Sequence, residues 1–170
     1  MRTAVIFLIV CINLVLQSTI FEYIQIGGIK PNLALIIIIA YAVLRGDIEG
    51  AILGFFSGLL QDMFSGRVIG VHALLGTLTG YFCGKPFKDF YHENYMLPLL
   101  LTIVFVFSYE TLFYFMSFLF LGKIEFIYFI RKIIAPTTIY TAILCIPMYR
   151  LMYVINSKLE QHENLKRKRF

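Results

Sequence analysis

The sequence predicts an all-α, polytopic membrane protein with six transmembrane helices, and three observations carry that prediction. Hydrophobic residues make up 59% of the 170-residue chain and charged residues only 15%. A soluble domain carries about 25% charged residues because water must solvate its exterior. Mean hydropathy is +0.81. Most of the charges that do occur cluster between long apolar runs. Such runs leave bare surface that only lipid can cover.

Residues 3 to 21 form the first apolar run, long enough for a helix across about 30 Å of hydrocarbon. Arg2 precedes it, but no small-x-small cleavage site follows, and Asn13 and Gln17 interrupt its interior. It reads as a retained helix rather than a signal peptide. A short loop with Gly27-Gly28 leads to Pro31, which suits the first position of a helix over 32 to 44. Arg45-Gly46-Asp47 is a tight polar turn, and a third helix follows from 48 to 63, so that the two make a helical hairpin. Residues 68 to 84 predict the fourth helix, ended by Lys85-Pro86. Residues 95 to 121 predict the fifth, with Pro98 near its start. Residues 129 to 155 predict the sixth, bent by Pro136 and Pro147. The organisation is therefore a six-helix transmembrane domain over 1–155 and a basic tail over 156–170, ending in Lys166-Arg167-Lys168-Arg169.

Basic residues set the orientation. With the N-terminus in the cytoplasm, ten of the 15 Lys and Arg lie on that side and five on the other, so both termini are expected to be cytoplasmic. The net charge of +5 points to anionic lipid headgroups. It does not point to nucleic acid, because the basic residues form no stripe interleaved with aromatics.

Glycine gives the most regular pattern. Gly46, Gly50, Gly54 and Gly58 recur every fourth residue, and Asp62, Gly66 and Gly70 extend the register. Gly76, Gly80 and Gly84 repeat it on the fourth helix. Helices associate in lipid without a hydrophobic drive, so small residues that let backbones touch mark packing faces. These glycines are candidates for helix packing within the chain, for docking a partner, or for both. Three polar residues at membrane depth are the other candidates: Asn13 and Gln17, four apart on one face, and Glu110 in the middle of the fifth helix. An ionised carboxylate there costs about 2.5–3.5 kcal/mol, so Glu110 must be protonated, paired or turned to a cavity. Asp62 invites a helix-end contact or a pair with Arg67.

Cys11, Cys83 and Cys145 each lie in an apolar run, and His72, His92 and His162 are scattered without carboxylates or thiols at ligand spacing. No metal or cofactor is expected. The chain carries no phosphate-cradling loop, no Gly-x-Ser-x-Gly and no His-Glu-x-x-His, so an enzyme is not expected either.

Pro31-Asn32-Leu33, Arg45-Gly46, and the run from Glu49-Gly50-Ala51 through Gly58-Leu59-Leu60-Gln61-Asp62-Met63-Phe64-Ser65-Gly66 to Gly70-Val71-His72-Ala73-Leu74 together resemble the rod shape-determining protein MreD family. Asn32 stands where the family often carries an acidic residue. The resemblance implies a six-helix component of the bacterial inner membrane, similar in fold to the S-components of energy-coupling factor transporters. It also implies a scaffold role in lateral peptidoglycan synthesis, with MreC, MreB, RodA and a class B penicillin-binding protein as partners. Likeness to S-components leaves an alternative open, a membrane protein that binds or transports a small solute.

Overall fold

The computed structural model describes residues 2–23, 25, 28–65, 69–85, 96–121 and 126–167. These form six helical rods: α1 (Arg2–Tyr23), α2 (Leu33–Arg45), α3 (Asp47–Ser65), α4 (Val71–Gly84), α5 (Met96–Leu121) and α6. The last is composite, running from Phe126–Phe129 through a π-helical turn, Ile130–Ile134, into Ala135–Arg167. Stretches of α5 and α6 are long and apolar enough to cross a membrane.

Helix α2 sits at the centre. Leu33 through Leu44 are all buried, including four consecutive isoleucines, Ile36 to Ile39. A helix apolar on every side is covered either by protein or by lipid; here it is protein, since α2 contacts each of the other five helices. β-Branched residues are modest helix formers because their χ1 freedom is lost. Their burial here offsets that preference by far more than it costs. At 13 residues, α2 is about 20 Å long.

Its start differs from the expectation. Pro31 is not the first helical residue; Asn32 is the N-cap, and its side chain accepts a hydrogen bond from the Leu35 N–H. Asx side chains outcompete proline for this place because they satisfy an otherwise unpaired donor. At the other end Gly46 turns the chain at φ 100°, a conformation that favours glycine, while its N–H bonds to Ala42 O. Helix α3 then starts one residue earlier and ends two later than predicted, with Asp47 and Glu49 in its positive first turn.

Helix α4 starts at Val71 rather than 68, because Gly70 at φ 102° cannot belong to a right-handed helix. Helix α6 starts three residues before the predicted 129. Pro136 lacks an N–H and crowds the preceding turn. The ladder widens just before it, and the Ala135 N–H reaches Ile130 O, five residues back. Pro147 lies inside the continuing helix, which runs unbroken past 155 to Arg167. The bundle and its tail thus share one rod of 33 residues, about 50 Å.

Candidate functional site

The glycines expected to pack helices lie in two facing rows. A Cβ placed on Gly54 would fall on the carbonyl of Gly76, and one on Gly76 would lie 2.5 Å from Gly54 O. A Cβ on Gly80 would fall on the Gly50 carbonyl, one on Gly50 would meet both Ala42 of α2 and Gly80 O, and one on Gly58 would fall on the backbone of His72 and Ala73. Gly84 abuts the Gly46–Asp47 peptide, where its Cβ would come within 2.5 Å of the Asp47 N. Helices α3 and α4 are therefore backbone against backbone along four turns, each residue number on one falling as the other rises. This pair has by far the most extensive contact in the molecule. Gly66, in the same register, lies outside the described residues, as do Arg67 and the histidines at 92 and the side chain at 162.

Asp62 closes the far end of this pair. It is fully buried, and its two carboxylate oxygens accept three backbone N–H groups from the start of α4. Oδ2 takes Gly70 N at 2.9 Å and Ala73 N at 3.1 Å, and Oδ1 takes His72 N at 3.1 Å. The first N–H groups of a helix lack intrahelical partners and carry partial positive charge. A carboxylate from α3 supplies both what they need, and Gly70 supplies the turn that aims them.

From Asp62 a chain of polar contacts crosses the bundle. The His72 ring meets the Tyr109 hydroxyl at 2.6 Å and stacks on Phe113 at 4.5 Å. Next to Tyr109, the Glu110 carboxylate accepts from Asn32 Nδ2 at 3.4 Å. The Asn32 N–H donates to Thr141 Oγ1 at 3.1 Å. Beside Asp62, Gln61 Nε2 donates to Gln17 Oε1 at 3.4 Å. Polar side chains thereby link all six helices, which in an apolar medium supply direction that dispersion cannot. Asn13 is also buried, but neither of its amide atoms has a hydrogen-bond partner among the described residues.

Asn32 does two jobs that an acidic residue could not combine. Its oxygen caps α2 and its nitrogen donates to Glu110. An aspartate at 32 would cap equally well but would set a second carboxyl against Glu110. Glu110→Gln should thus be nearly silent, within about 0.5 kcal/mol, because Gln retains an acceptor. Glu110→Ala should cost about 1–3 kcal/mol by stranding the buried amide. Thermal unfolding of the two detergent-purified variants beside wild type measures the difference.

A further polar knot lies at the opposite end. Arg45 Nη1 pairs with Glu160 Oε1 at 2.7 Å and Arg45 Nε with Glu49 Oε2 at 3.5 Å, while Asn156 donates to Glu160 and the Tyr41 hydroxyl to Glu49. Sequence reading missed Asn32, Tyr109, Thr141 and Glu160. Asn32, Tyr109 and Thr141 lie in or at the edge of apolar segments with no spacing that marks them, and Glu160 lies on a helical stretch that reads as a tail in the sequence.

These features lie on a chain whose residues 1–159 match the model of the rod shape-determining protein MreD family. No curated protein and no solved structure matches it. The Asp62-capped, glycine-paired hairpin is thus an internal part of a shape-determining membrane protein, and the chain belongs to the MreD family.

Proposed function

We propose that the protein is a non-enzymatic scaffold of the wall-elongation complex. It would hold MreC in the membrane and, through the larger assembly, RodA, a class B penicillin-binding protein and MreB. The family match supports this reading, and one structural observation carries it further. Three of the interior polar groups that could serve chemistry are spent on joining helices: Asp62 on α4, Glu110 on Asn32, and Gln17 on Gln61. The exterior presents apolar residues such as Ile52, Phe56, Leu78 and Phe107. Because Gly50, Gly54 and Gly58 face α4 of the same chain, a partner helix in this reading meets the outer side of the bundle and not the glycine rows. The helices would insert six times with both termini in the cytoplasm, as the basic residues direct.

Depletion of the protein in a rod-shaped host tests the reading. Cells should widen and become round within a few generations, and MreC should co-purify with the tagged protein in mild detergent. Depleted cells that keep rod shape would refute the scaffold role. The solute-binding alternative finds one observation in its favour, the unpartnered Asn13 amide. It requires a solute that raises the melting temperature of wild type and leaves Asn13→Leu unchanged.

A further inference from the structure

The α2–α3 turn, the end of α4 and the extension of α6 meet at one end of the bundle. Gly84 abuts the Gly46–Asp47 peptide, which brings exposed Lys85 beside that turn. Arg45 holds Glu160 at 2.7 Å, which brings the extension there too. Helix α6 then continues to Arg167, with exposed Lys158 near its root and Lys166 and Arg167 at its tip, followed in sequence by Lys168 and Arg169. Arg45 is shared between Glu49 and Glu160. Across the turn, Lys85 and the extension, seven basic residues (Arg45 included) stand against four acids, Asp47, Glu49, Glu160 and Glu163, a net charge of +3.

We infer that the C-terminal extension of α6 is an arm that binds anionic lipid headgroups, its root held by the Arg45–Glu160 pair. Arg45 ends α2 and marks the edge of the apolar bundle, so residue 160 lies level with that edge. Lys166 and Arg167 are six and seven residues further, about 9–11 Å along a helix. A headgroup layer extends about 5–8 Å beyond the hydrocarbon, and charges act over about 8 Å more at physiological salt. The basic tip therefore falls inside the attractive layer of an anionic surface. The extension has little apolar surface to hold it, with Leu159 and Leu165 its only large apolar residues between 156 and 167. Electrostatic attachment is what would keep such a helical end from fraying.

Hydrogen exchange of the full chain in nanodiscs tests this. In discs containing phosphatidylglycerol, amides of residues 156–167 should exchange at least about fivefold more slowly than in phosphatidylcholine alone, the factor that one basic residue near an anionic surface supplies. The difference should vanish in 1 M salt. It should also vanish when Lys166, Arg167, Lys168 and Arg169 are all replaced by Gln, while exchange within α5 stays at its wild-type rate and shows the bundle intact. Equal exchange in both lipids would overturn the inference. Protection that persists in the four-Gln variant would overturn it as well.

Discussion

Gly54→Leu should abolish a stable bundle. The new Cβ would fall on the Gly76 carbonyl, a backbone atom that no rotamer change can move. Overpacking a core side chain typically costs 1–3 kcal/mol, because neighbours shift. Here the only escape is to separate α3 from α4, so a cost of at least ~3 kcal/mol is expected. Separation would also break the contacts at Gly50–Gly80 and Gly58–His72, and would draw Asp62 away from the N–H groups that it caps. Thermal unfolding in detergent should show a large loss of melting temperature or no monodisperse protein at all. Phe56→Leu, on the outward side of the same helix and half exposed, should stay within about 0.5 kcal/mol of wild type. Equal effects of the two would mean that the glycine rows do not set the helix spacing. If MreC binds as proposed, its loss from Gly54→Leu would accordingly report a broken fold and not a lost docking surface, so a partner screen belongs on the outward residues.

The glycine rows also show how far the sequence could be read. A four-residue glycine period on two adjacent helices marks close packing, and that much needs no coordinates. What the period lacks is the pairing. That Gly54 meets Gly76 and Gly50 meets Gly80 is not in the period, and Gly70 shows its left-handed backbone only in the structure. Apolar runs located all six helices, since a change from apolar to charged is abrupt in a membrane chain. Among the ends that moved, the starts of α2 and α4 are set by single residues, Asn32 at α2 and Asp62 with Gly70 at α4. Glu110 was legible as a residue in need of a partner, because its cost is a property of the residue alone. Its partner was not, because Asn32 lies 78 positions away and a single hydrogen bond has no period. The same holds for α6, where Pro136 announced a bend but not the π-helical turn that accommodates it.

Asp62→Ala should be nearly as damaging as the glycine change, for a different reason. It leaves three N–H groups at the start of α4 without their acceptor, a carboxylate on a residue only 1% exposed. A stranded buried donor costs about 1–3 kcal/mol, and bonds to an ionised acceptor are the stronger ones. Fraying of the first turn can recover some of this, so a net loss of about 3–5 kcal/mol is expected. Asp62→Asn discriminates between charge and shape. With its oxygen placed where Oδ2 now serves Gly70 and Ala73, the amide nitrogen would face the His72 N–H, donor against donor. The variant should therefore retain two contacts, lose one, and fall between wild type and Ala. Hydrogen exchange localises the effect. Amides from Gly70 to Leu74 should open in Asp62→Ala well before those of α2, because α4 loses its anchor at one end while Gly76, Gly80 and Gly84 still hold the other. If exchange rose uniformly through the bundle, Asp62 would be a determinant of the whole fold. If it did not rise at Gly70 to Leu74 at all, the carboxylate would not be the cap.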